Sequence, residues 1–186
     1  MHMKQQTWRS RVLVALALVA TLTACGDNGT PGASKSDGPG SEGPDKAAQG
    51  GGALEVTAVE YKFKGLSGTV AAGTKLRFTN GGKEAHELVL IRVNDDEKRP
   101  LSKLLALPEK ESQKVTKFQG VAVAAPGKEG KVVEGDLTLA KPGRYVGVCF
   151  IPVGTKELPK GPGGEDKKPS GPPHFTKGMV AEFTVK

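Results

Sequence analysis

From residue 86 onward, four side chains could together hold a soft or borderline metal ion: His86, Cys149, His174 and Met179. The 186-residue chain has three histidines, three methionines and two cysteines in all. Met1, His2 and Met3 fall in a segment that reads as an export signal, and Cys25 sits at its expected end. The mature chain then keeps two imidazoles, one thiol and one thioether. Copper suits that donor set: thiolate and thioether favour Cu(I), imidazole serves both oxidation states, and a mixed set traps neither. Four protein ligands leave no open position for a substrate, so an enzyme is not expected. No Ser-His-Asp set, CxxC or HExxH pattern offers a second constellation.

Taken singly, each residue has a plainer reading. Cys149 could be an inert buried thiol, since free cysteine packs like a small hydrophobe. His86 could be a solvated strand-end histidine, His174 a loop residue stiffened by Pro172-Pro173, and Met179 ordinary core filling. Their order along the chain is what favours a joint role.

The elements that must position them begin after a leader and a tether. Lys4, Arg9 and Arg11 precede the apolar run Val12 to Ala20, which is shorter than the ~20 residues a spanning helix needs and has the length of a signal core. The run closes on Leu22-Thr23-Ala24-Cys25, which resembles the bacterial lipobox, so residues 1–24 are expected to be a lipoprotein signal and Cys25 the lipidated residue. No Arg-Arg pair is present, which favours the general secretion route. Residues 26–52 are rich in Gly, Pro, Ser, Asp and Lys, with no aromatic side chain. With Cys25 they form an expected disordered tether, residues 25–52, whose flexible reach is roughly 30 Å. The expected location is the extracytoplasmic side of a membrane, anchored through lipid.

Residues 53–186 suit one domain. Of the formal net charge of +7, the leader carries +3 and the tether −2, leaving +6 on the domain. A basic surface can steer an acidic protein partner, although a merely solvated charged surface accounts for the same lysines. No basic run is interleaved with aromatics, so nucleic acid is not an expected partner.

The periodicity is that of strands. Val59, Tyr61 and Phe63 alternate with polar residues, as do Leu76 and Phe78. Ala71 to Thr74 and Asn80-Gly81-Gly82 read as turns. His86 to Val93 is nearly continuous in apolar character, as in a central strand covered on both faces. Leu101, Leu104 and Leu105 between Pro100 and Pro108 predict a short helix, and residues 109–130 read as irregular with a short strand near Val121 to Ala125. Leu137 and Leu139 open another alternation. In the run Tyr145 to Ile151, Cys149 shares a face with Tyr145 and Gly147. In the run Met179 to Val185, Met179 shares a face with Phe183 and Val185 while Glu182 and Thr184 point away. Short strands, Gly/Pro turns and little helix predict a β-sandwich.

From about Val56 to Lys186 the chain resembles the cupredoxins, the small blue-copper domains that include plastocyanin, pseudoazurin and amicyanin. The resemblance rests on Ala72-Gly73-Thr74-Lys75-Leu76-Arg77-Phe78-Thr79-Asn80 followed by His86, on Pro142-Gly143-Arg144-Tyr145 followed by Cys149, and on Pro173-His174-Phe175-Thr176-Lys177-Gly178-Met179 before a closing strand. It implies an all-β, Greek-key sandwich carrying one type 1 copper, with His86, Cys149 and His174 as equatorial ligands and Met179 as the weak axial one. His86 and Cys149 would sit on neighbouring strands, and Tyr145, Phe150 and Phe175 would exclude water. One departure stands out: family members place a few residues between cysteine and the next histidine, whereas Phe150 to Pro173, 24 residues, intervene here. Insertions are therefore expected at 94–130, holding the short helix, and at 154–171. The expected function is one-electron transfer with a membrane-associated protein partner, leaving through the imidazole edge of His174 or the strand of Cys149. The alternatives are copper sequestration or delivery to an accepting protein, and a metal-free cupredoxin-like binding module.

Overall fold

The computed structural model describes residues 51–158 and 171–186. The signal, Cys25 and nearly all of the tether lie outside the described residues, as does most of the 154–171 excursion. Among the described residues no helix is long and apolar enough to cross a membrane.

Period-two patterning produces a strand wherever one face can be buried, and β4 (Lys75–Asn80) shows it plainly. Leu76 and Phe78 point inward while Lys75 and Arg77 stay in water. β4 runs parallel to β1 (Ala53–Val59), which pairs antiparallel with β2 (Lys62–Lys64), completing a three-stranded sheet. The second sheet has six strands. Its members are β3 (Thr69–Val70), β5 (His86–Val93), β6 (Thr116–Ala124), β7 (Lys131–Gly135), β8 (Gly143–Val148) and β9 (Val180–Val185). Their spatial order is β3-β9-β8-β5-β6-β7. Strands β5, β6 and β7 follow one another antiparallel, and β8 returns to lie beside β5, which is the Greek-key order. The expected Greek-key sandwich is therefore present.

The core between the sheets joins Val56, Ala58, Phe63, Leu76 and Phe78 of the small sheet to Leu88, Leu90, Ala122, Tyr145, Phe183 and Val185 of the large one. His86 enters β5 in phase with Leu88 and Leu90, as the alternation implied. The opposite face of the large sheet is also covered. Val89, Val93, Val121, Val146 and Val148 form a second cluster with Leu104, and Leu101, Leu107 and Val115 pack at its margin. Those four come from the segment around two helices, α1 (Leu101–Leu105) and α2 (Glu109–Val115). This explains the unbroken apolar run of β5: its second face lies under the helical segment.

Two expectations need correction here. Residues 109–130 are not irregular, because α2 passes directly into β6, a full member of the large sheet. Polar α2 buries no residue of its own, so its apolar periodicity is weak in the sequence. The Leu137–Leu139 alternation is not a strand. The two leucines are buried, but the segment is tied to β4 through Leu76 N–H to Leu137 O and an isolated bridge between Lys75 and Thr138.

Candidate metal centre

Three of the four predicted side chains converge at one end of the sandwich. His86 opens β5, and Cys149 follows the last residue of β8, the antiparallel neighbour of β5. His174 begins a 3-10 turn, His174–Lys177, on the returning chain. All three are fully buried. His86 Nδ1 lies 3.1 Å from His174 Nδ1, and Cys149 Sγ lies 3.4 Å from the same His174 nitrogen. One donor atom from each residue falls within 4.8 Å of the others.

The long connection between Cys149 and His174 is closed at its base by a ladder. Phe175 N–H donates to Cys149 O (2.9 Å), His174 N–H to Ile151 O (2.9 Å), and Val153 N–H to Pro172 O (3.0 Å). Pro152 and Pro173 bridge antiparallel. The excursion departs beyond Val153, outside this ladder.

Met179 is fully buried and immediately precedes β9. Its N–H donates to His174 O and its carbonyl accepts from Cys149 N–H, both at 3.2 Å. Gly178, at φ 103°, adopts the left-handed conformation that ends the turn and delivers Met179 between these two residues. The main chain of Met179 thus bridges Cys149 and His174.

Burial weighs against charge on two of the donors. Burial first, then the charge of Glu87, pushes the Cys149 thiol up to about 12. Burial, then the neighbouring His174, lowers His86 to about 4. A bound cation reverses this logic for the thiol by stabilising the thiolate. Glu87 N–H lies 3.5 Å from Cys149 Sγ, a donor aimed at the sulfur. The residues fit a metal. For ions with metal–nitrogen distances of ~2.0–2.1 Å and near-tetrahedral angles, two ligating nitrogens sit roughly 3.3 Å apart, close to the separation seen. Two imidazoles and a thiolate, with a thioether beside them in the chain, are a donor set for copper.

Sequence reasoning missed Glu84 and Tyr61. The Glu84 Oε2 atom lies 2.9 Å from His174 Nε2 and accepts from Gly154 N–H at 2.7 Å. The Tyr61 ring meets the His174 ring edge-on at 5.3 Å, with Tyr61 held at φ 61°. Desolvation, then the charge of Glu84 and a hydrogen bond to it, raises the Tyr61 phenol above its usual range. Glu60 is held low chiefly by the Lys83 N–H it accepts. The only advance signal was one acid, Glu84, two residues past the predicted Asn80-Gly81-Gly82 turn, which by itself names no role.

Two details of the surroundings bear on the site. The imidazole edge of His174 is not presented to solvent, because the residue is fully buried and Glu84 covers Nε2. Phe150 and Phe175 do not join the inter-sheet core. They pack edge-to-face, with centroids 5.4 Å apart, at the margin of the outer cluster. Tyr145 does belong to the inter-sheet core, and its hydroxyl donates to Lys141 O.

No family model matches the chain, and no curated protein matches it. Among solved structures the chain is similar to auracyanin B (20% identity, TM-score 0.42, 76% of this chain and 93% of that one). It is similar to a dithionite-reduced auracyanin from the photosynthetic bacterium Roseiflexus castenholzii (17% identity, TM-score 0.45, covering 76% and 99%). A third is auracyanin A, a "blue" copper protein from the green thermophilic bacterium Chloroflexus aurantiacus (18% identity, TM-score 0.37, covering 72% and 98%).

Proposed function

We propose that the chain binds one copper ion and serves as a one-electron carrier at the extracytoplasmic face of a membrane, tethered by lipid on Cys25. The observation that carries this reading is the buried convergence of His86 Nδ1, Cys149 Sγ and His174 Nδ1 at one end of the sandwich. His86, Cys149 and His174 would be the strong ligands and Met179 the weak one. Copper supplies the Cu(I)/Cu(II) couple. The protein supplies rigidity: β5 and β8 fix two donors through their ladder, and the backbone bonds of Met179 fix the returning loop. Burial of all three donors excludes water from them.

The anchor and location rest on the lipobox-like Leu22-Thr23-Ala24-Cys25 and the basic, apolar leader before it. The partner is a membrane-associated redox protein, and the basic domain surface suits an acidic one. Enclosure of the three donors favours retention of the ion, and so electron transfer over delivery to an accepting protein.

The test is redox cycling of the full chain, purified with its anchor in detergent and loaded with one equivalent of Cu(II). Repeated chemical reduction and reoxidation should bleach and restore the visible spectrum without loss of metal. Release of copper on each reduction would replace electron transfer with delivery.

A further inference from the structure

The His174 Nε2 atom faces a carboxylate, and the surroundings of that carboxylate are built to hold it there. Glu84 sits in the turn between β4 and β5. Asn80, itself buried, donates through Nδ2 to Glu84 O (2.8 Å) and to Ala124 O on β6 (3.0 Å). Glu60 accepts the N–H of Glu84 at 3.2 Å and also that of Lys83. Ala85 N–H donates to Thr155 O (2.7 Å), which ties the same turn to the start of the excursion. The turn is therefore fixed from β1's end, from β6 and from the excursion before Glu84 reaches His174.

An ionised carboxylate only accepts hydrogen bonds. In a neutral imidazole the proton shared with Glu84 then resides on Nε2, which leaves the lone pair on Nδ1, the nitrogen that faces His86 and Cys149. The same Oε2 also accepts from Gly154 N–H, where the excursion departs. One carboxylate thus sets the tautomer of the imidazole and clamps the excursion's first residue beside it.

We infer that Glu84 is a positioning residue for the metal centre, holding His174 as the Nε2–H tautomer with Nδ1 turned to the ion and closing over the imidazole edge. This inference rests on the copper reading above for its metal-loaded consequences, but not for the tautomer itself. Two consequences follow. Carboxylate partners of ligating histidines raise ligand basicity, and their loss typically costs 10–100-fold in metal affinity. A more basic imidazole also favours Cu(II) over Cu(I), so removing the charge while keeping an acceptor moves the potential upward.

The full chain, labelled with 15N in its imidazoles, tests this by NMR in the metal-free state. His174 should be the Nε2–H tautomer in the wild type and in Glu84→Gln, whose amide oxygen still accepts, and a mixture in Glu84→Ala. In the copper-loaded chain, Glu84→Ala should lose metal to a chelator at roughly 10–100-fold lower chelator concentration. Glu84→Gln should retain copper with a raised midpoint potential. An Nδ1–H tautomer in the wild type, a tautomer unmoved in Glu84→Ala, or an unmoved potential in Glu84→Gln would each overturn the role of Glu84. If Glu84→Ala does not fold, the wild-type tautomer and the Gln potential still decide. If the wild-type chain holds no copper, the electron-carrier reading fails, and the metal-free tautomer alone decides on Glu84.

Discussion

Cys149 Sγ and His174 Nδ1 lie 3.4 Å apart although 25 positions separate them in the chain. Backbone hydrogen bonds pairing residues 149–153 with 172–175 join the two segments in a short ladder at the base of the excursion. Replacing residues 159–170 with a short Gly-Ser linker, keeping Gly154, Thr155 and Gly171, should therefore leave the copper absorption spectrum unchanged. Shortening a loop twofold alters closure entropy by only about 0.6 kcal/mol, so the thermal midpoint should move little. A shifted or lost band would mean that the excursion itself shapes the site.

Met179 separates an axial ligand from a core side chain. It is fully buried, and its main chain bonds to both Cys149 and His174. Met179→Leu conserves volume and should cost less than about 1.5 kcal/mol in stability. As a weak ligand, Met179 should tune the potential, so the variant should keep its intense visible band while its midpoint potential shifts. An unchanged potential would assign Met179 to packing alone.

Gly82 leaves room for His86. A Cβ there would lie 2.9 Å from His86 Nε2 and 2.7 Å from Glu60 Oε1. Both neighbours belong to the site or its support, and the His86 main chain is held by its pairing with Ala124 of β6. Gly82→Ala should displace the imidazole, with an altered copper spectrum as the readout, while a substitution at open Gly52 should not.

The helical segment over β5 should affect stability without touching the site. Leu104 is buried in the outer cluster with Val89 and Val146, on the face of the large sheet opposite the ligand-bearing core. Leu104→Ala should cost about 2–5 kcal/mol in denaturant unfolding and leave the copper spectrum as in the wild type.

The sandwich was legible because its signals are local. Alternation at Leu76/Phe78 and around Cys149 and Phe183 reports inward and outward faces directly, and the unbroken run of β5 reports cover on both. The candidate ligands were legible because soft side chains are scarce in this chain. Much of the rest depended on partners distant in sequence. Helix α2 buries no residue and brings only Val115 to the margin of the outer cluster, so its apolar periodicity is too weak to show, and β6 was legible only at its buried end, as the strand expected near Val121 to Ala125. Glu84 and His174 are 90 positions apart, and nothing in the local pattern of an acid in a turn says which imidazole it will meet. The ladder that closes the ligand loop is made by main-chain groups of Ile151, Val153 and Pro172, whose side chains give no hint of it.

The central claim is a copper–thiolate bond at Cys149, and its most direct test is optical titration of the full chain with Cu(II). An intense visible charge-transfer band should grow to saturation at one equivalent and survive dialysis. It should be absent from Cys149→Ser, a variant expected to fold with a cost of about 1–3 kcal/mol if the buried hydroxyl finds no partner. A chain that shows no band and retains no copper after dialysis, or a Cys149→Ser variant as strongly coloured as the wild type, would contradict the account.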